Sequence, residues 1–215
     1  AEGWWDAGVD NNCDGSVEDQ ARAELSALGV RIDGDTEGGA FGASILTIPA
    51  GWADDEAVVL ISAPFAGAGD VYGWRASELS GTPTLATAAW HLTGGEEGDF
   101  MGYGMAWLGS DSAPVVAIGL EGADDTRGVV QVWSGADLGD PPTATVHGEV
   151  FGGYLGAQLV SGYDHDGDGM DDLLVSAQLD STFATNAGVV FLFLEPDGLG
   201  GDATTAEADV QFTTT

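Results

Sequence analysis

The chain has 215 residues, room for one large domain or two small ones with a buried core. Four arginines and no lysine stand against 36 acids, a formal charge of −32 that repels phosphate backbones and argues against nucleic-acid partners and basic-patch docking on anionic lipid. Apolar residues make up 44% and glycines number 35, too apolar for a disordered acidic polymer and glycine-rich enough to require many turns. No run approaches the ~18 apolar residues of a membrane helix, so direct membrane insertion is not expected. Cys13 has no partner for an internal disulfide. The first residues lack a basic stretch followed by an apolar run, so no signal peptide is read there, and the compartment stays open on these grounds.

In chain order, residues 1–27 form an acidic N-terminal segment. Asp10, Asn12, Asp14, Ser16 and Glu18 place oxygen side chains at alternate positions of one short stretch. That pattern suits a second Ca²⁺ site and equally an ordinary turn. A soft metal at Cys13 is disfavoured, because no further Cys or His lies nearby. Ser16 and Asp19 read as a capping box for a short helix over 16–28 that Gly29 terminates.

Residues 28–215 carry an internal repeat with units at about 41–75, 100–134 and 151–194, preceded by a strand over Gly29–Asp33. Each unit opens with a glycine-bearing strand: Phe41-Gly42-Ala43-Ser44, Tyr103-Gly104-Met105-Ala106 and Leu155-Gly156-Ala157-Gln158. Each continues to a wholly apolar run: Val58–Ile61, Val115–Ile118 and Leu173–Val175. Each closes on an alternating strand ending in Trp74, Trp133 or Phe193, steps of 59 and 60 residues. Threonine-rich stretches over 84–92, 143–147 and 208–213 supply further strands. The expectation is an all-β chain of about three four-stranded, β-propeller-type blades without substantial helix. A non-repeating β-sandwich with evenly spaced strands is the competing arrangement, and the recurrence of three features in one order favours blades. Propellers close with about four to eight blades. Three units are therefore expected to continue into further repeats of a larger ring, or to be completed by partners.

The strongest chemical signal lies in the third unit. Asp164, Asp166, Asp168 and Asp172 put carboxylates at loop positions 1, 3, 5 and 9, and Met170 at position 7 offers its carbonyl. Gly169 permits the sharp reversal at position 6. Alternate oxygens in a tight turn meet the six to eight hard ligands Ca²⁺ prefers, whereas Mg²⁺ keeps more of its water. Position 12 is Val175 rather than the bidentate Glu of an EF-hand, so Asp172 has to close the site. His165 falls where a side chain points away from the ion. A solvated Asp/Gly turn is the alternative.

These features resemble the FG-GAP repeats of integrin α-subunits and related bacterial surface proteins. The marks are Phe41-Gly42, the GAP-like Ser62-Ala63-Pro64 and Ser176-Ala177-Gln178, and the acidic loop 164–172 between the first two strands of a blade. Asp10–Glu18 is similar to the Asp-Asn-x-Cys-Asp-Gly metal-binding motif found beside such repeats. The resemblance implies a structural Ca²⁺ on a propeller rim, a secreted or cell-surface location, and a non-catalytic role in adhesion or recognition of a protein or glycan. The first unit has Asp54-Asp55-Glu56 at the loop position and the second only Asp111, so neither is expected to bind an ion.

Catalysis is the weaker expectation. His91, His147 and His165 are scattered, and no Gly-x-Ser-x-Gly elbow, phosphate-binding glycine loop or zinc cluster occurs. An extracellular hydrolase or lyase directed at polysaccharide on a propeller scaffold is the alternative function, since chance carboxylate pairs abound among 36 acids. A high-salt habitat is a separate explanation of the charge.

Overall fold

The computed structural model describes residues 30–53, 56–80, 82–109, 115–134, 137–196 and 198–213. The N-terminal motif Asp10–Glu18, the helix expected over 16–28, and the Asp54-Asp55 and Asp111 positions lie outside them.

Among the described residues thirteen strands form three sheets. Sheet I is the meander β1 (Ile45–Ala53), β2 (Glu56–Ala63), β3 (Asp70–Arg75) and β4 (Trp90–Thr93). Sheet II repeats it with β5 (Met101–Leu108), β6 (Val115–Leu120), β7 (Val129–Ser134) and β8 (Ala144–His147). Sheet III follows with β9 (Leu155–Val160), β10 (Leu173–Ala177) and β11 (Val189–Phe193). The chain then crosses to sheet II, where β12 (Gly201–Thr204) pairs parallel with β8, and returns as β13 (Val210–Thr213) against β11. Sheet II thereby has five strands; all other strand pairings within the sheets are antiparallel, and an isolated parallel bridge joins Gly128 to Leu155. None of the three sheets closes on itself. Helix among the described residues is limited to single turns such as Ala123–Thr126.

Two strands expected ahead of β1 are absent among the described residues: 30–33, which precede the first unit, are irregular and have no sheet partner, and Phe41–Ser44, expected to open that unit, form turns and bends, so its first strand begins at Ile45. The second unit also opens two residues earlier than its sequence suggests. Positive φ recurs at Ala40 and Gly42, at Phe100 and Gly102, and at Tyr154 and Gly156. The N–H groups of Phe65, Gly122 and Leu179 donate to the carbonyls of Gly39, Asp99 and Gly153. Met101-Gly102, not Tyr103-Gly104, is therefore the counterpart of Phe41-Gly42, and the shift in the β5–β6 register between Met101 and Met105 recurs between Leu155 and Leu159 in sheet III.

Sheet II is sandwiched, and strand alternation sorts its side chains. Val116, Ile118, Leu120, Val129 and Trp133 join the cluster that holds Ile48, Val58, Leu60 and Val71 of sheet I. Val115, Ala117, Val130 and Val132 join the cluster holding Leu173, Val175, Val189 and Phe191 of sheet III. Every β6 residue is buried, which is why Val115–Ile118 reads as an unbroken apolar run. Trp133 is 2% exposed and its indole N–H donates to the Asp140 carbonyl at 2.9 Å, so the ring is buried without an orphaned donor.

Candidate metal loop

The segment 161–172 joins β9 to β10 on sheet III. Oxygen atoms of Asp164, Asp166 and Asp168 lie within 4.8 Å of one another. The local sequence makes this clustering: Gly167 and Gly169 hold φ of 83° and 95°, so the backbone turns twice within five residues. Asp164 is the pivot. Its Oδ1 accepts the N–H of Gly167 at 2.6 Å and of Asp168 at 3.2 Å, and its Oδ2 accepts that of Gly169 at 2.9 Å. These bonds, led by Gly169, hold the Asp164 carboxyl below the usual carboxylate range. Asp166 Oδ1 accepts the Asp168 N–H at 3.1 Å, and Asp168 Oδ1 accepts the Met170 N–H at 2.7 Å. The side chains of Asp166 and Asp168 are exposed.

Asp172 is different. It stands outside the 4.8 Å group and is 4% exposed. Its Oδ2 accepts the His165 N–H at 2.6 Å, its own N–H donates to the Tyr163 carbonyl at 2.9 Å, and its Oδ1 is buried with no hydrogen-bond partner among the described residues. Burial, reinforced by the negative charge of Asp166 and Asp164, pushes this carboxyl up, against the His165 N–H. A buried carboxylate oxygen without a donor is costly unless a proton or a cation satisfies it. The expected set thus divides: Asp164, Asp166 and Asp168 converge, Asp172 faces the loop from its buried base, and Met170 is fixed by its N–H. The His165 ring lies 6.0 Å from that of Tyr163. A cleft lined by Tyr163, His165, Asp172, Leu174 and Phe212 opens beside the loop.

A second buried acid escaped the sequence reading. Glu121, at the end of β6, is 6% exposed, and burial pushes its carboxyl up. Gln178 Nε2 donates to its Oε2 at 3.3 Å across the boundary between sheets II and III. Gln178 closes the GAP-like Ser176-Ala177-Gln178, and Gly119-Leu120-Glu121 occupies the same register in the second unit, a placement that could have flagged both. The Trp90 indole N–H donates to Asp137 Oδ1, and the Arg75 guanidinium stacks on the Trp90 ring at 4.5 Å.

No family model matches the chain. Nucleoside diphosphate kinases from two strains of Halobacterium salinarum are each 39% identical to it over 61 residues, 28% of this chain and 37% of theirs. The chain therefore spans little more than a third of the length of these curated relatives.

Proposed function

We propose that the chain is a Ca²⁺-pinned segment of β-propeller-type blades that acts outside the cell, secreted or on its surface, as a non-catalytic module for adhesion or recognition. The observation that carries this reading is the pairing of a three-carboxylate cluster at Asp164, Asp166 and Asp168 with the unpartnered buried Oδ1 of Asp172. Three like charges this close repel, and a divalent ion converts the repulsion into a tie between β9 and β10. Exposed Asp166 and Asp168 leave room for the high, flexible coordination number that suits Ca²⁺ better than Mg²⁺. The meander order of sheets I and II and the position of the loop between the first two strands of sheet III agree with the FG-GAP resemblance. The extracellular location rests on that resemblance alone.

Phosphoryl transfer, the activity in the names of the partial relatives, gains little here. The described arginines Arg31, Arg75 and Arg127 each lie against a carboxylate (Asp33, Glu78 and Asp124), which weakens them as phosphate anchors.

The test is thermal unfolding in molar NaCl, where nonspecific screening of the −32 charge is already saturated. Millimolar Ca²⁺ is expected to raise the Tm, with about 2.7 kcal/mol of stabilisation at roughly a hundredfold excess over Kd. Equimolar Mg²⁺ should do markedly less, and Asp168→Ala should abolish the Ca²⁺ increment. A Tm indifferent to Ca²⁺ in the native chain rejects the site.

A further inference from the structure

The two contacts between sheets are copies of one another. Where sheet II starts against sheet I, the Met101 N–H donates to the Ala68 carbonyl at 3.1 Å. Where sheet III starts against sheet II, the Leu155 N–H donates to the Arg127 carbonyl at 2.9 Å. The residue after each acceptor is a glycine because a strand lies on it: a Cβ at Gly69 would stand 2.1 Å from Met101 N, and one at Gly128 2.3 Å from Leu155 N. The arriving glycine rests in turn on a cross-strand pair. A Cβ at Gly102 would meet Val71 Cγ2 at 2.5 Å and Ser62 Cβ at 2.7 Å, and one at Gly156 would meet Gly119 Cα at 3.0 Å and Val130 Cγ2 at 3.2 Å.

Sheet III carries a third receiving side. Gly188 has φ of 76°, follows Ala187, and lies beside Ser176 and Val190, which are register partners as Ser62 and Val71 are. The nearest atoms to a Cβ at Gly188 belong to its own sheet, the carbonyls of Gln178 and Ala177. No strand of the described residues arrives here, and a groove of about 390 Å³ lined by Ser176, Ala187, Gly188, Val190, Phe212 and Thr213 lies in its place. Phe212 is 53% exposed beside it.

Sheet I carries a third arriving side. Ala40 and Gly42 have φ of 55° and 91°, the same pair as 56° and 91° at Tyr154 and Gly156. Gly42 and Ala43 are exposed, and among the described residues nothing lies within 4 Å of a Cβ at Gly42, whereas Gly156 and Ala157 are buried. The two ends are complementary, and the fit between them is already made twice inside the chain.

We propose that the Ala40–Ala43 segment of a second copy of this chain docks in the groove at Gly188, its Phe41 N–H meeting the Ala187 carbonyl, so that copies associate head to tail. Such a contact is heterologous and builds rings or open stacks according to whether its rotation closes. It continues the two internal interfaces and does not depend on the Ca²⁺ reading. The charge of −32 on each copy opposes it, so salt should favour association.

Sedimentation velocity of the full chain in molar NaCl tests the proposal. The native chain should associate with rising concentration. Ala43→Asp on the arriving side and Val190→Asp on the receiving side should each weaken association about tenfold or more while unfolding remains cooperative. Mixed together, the two variants should form a dimer that stops at one of each, because the mixture holds one intact arriving segment and one intact groove. If Val190→Asp fails to fold, Phe212→Ser takes its place. A native chain that stays monomeric in molar salt, variants that associate like it, or a mixture no better than its components each overturns the proposal.

Discussion

Sheets II and III share a motif and differ in fate. Val129-Val130-Gln131-Val132-Trp133 and Gly188-Val189-Val190-Phe191-Leu192-Phe193 are alternating strands at corresponding places in their units. On β7 both faces are covered, and Val130 and Val132 are fully buried. On β11 the face shared with sheet II is closed, with Val189 and Phe191 3% and 4% exposed, while Val190 on the other face is only partly covered. The difference comes from what stands beside each sheet, not from the strands themselves. The same outer face carries an apolar row joined by register, Val160, Leu174, Leu192 and Val210, in which Leu192 is buried while Val160 and Val210 at its two ends are exposed.

The sharpest way to break this comparison is to put the same charge at both valines. Val130→Asp buries a carboxylate in an apolar cluster and should cost ~3–5 kcal/mol, enough to unfold a marginal domain. Val190→Asp should cost about 1 kcal/mol, since its carboxylate turns to solvent. Urea titration at pH 7 measures both midpoints. Equal losses would mean that the outer face of sheet III is as closed as the inner one.

A gentler version compares glycines. Gly156→Ala forces a methyl to within 3.0 Å of Gly119 Cα and of the Val129 carbonyl at φ of 91°. Gly42→Ala meets the same φ with nothing within 4 Å. Backbone strain of about 1–2 kcal/mol is common to both. The steric term falls on Gly156 alone, so its variant should lose a further ~1–3 kcal/mol. Matching Tm losses would show that the sheet III contact is loose.

The particular residues show what was legible in the sequence. Val115–Ile118 announced a strand covered on both faces, and the spacing of Trp74, Trp133 and Phe193 announced three similar units, because burial and strand period are local properties. The convergence of Asp164, Asp166 and Asp168 was legible for the same reason: five residues with two glycines determine it. What depends on distant chain was not. Gly102 and Gly104 are both preceded by residues able to open a strand, and contacts such as the hydrogen bond from Met101 to Ala68, just ahead of β3, distinguish them. The parallel pairing of β12 with β8 needs the chain to leave its own sheet, which no periodicity encodes. Asp172 looked like one more ligand in a row, yet its place at the foot of β10 buries it and leaves Oδ1 without a donor.

Glu121 provides the smallest and cleanest test of the boundary between sheets II and III. Burial is the cause of its raised pKa, so the folded chain holds this proton more tightly than the unfolded chain does. Its contribution to stability is therefore fully present below the ordinary glutamate value and is lost as pH rises through the raised folded value. At pH 7 the group is a burden, and Glu121→Gln should relieve it by about 1 kcal/mol. The amide still offers an oxygen to Gln178 Nε2, so the cross-sheet bond survives the change. The gain should shrink toward zero as pH falls to 4, where the native side chain is mostly protonated in both states. Paired denaturation curves of the native chain and the variant at the two pH values read this directly. A variant less stable at pH 7, or one whose advantage is the same at pH 4, would mean that Glu121 is solvated and that the seam beside Gln178 admits water.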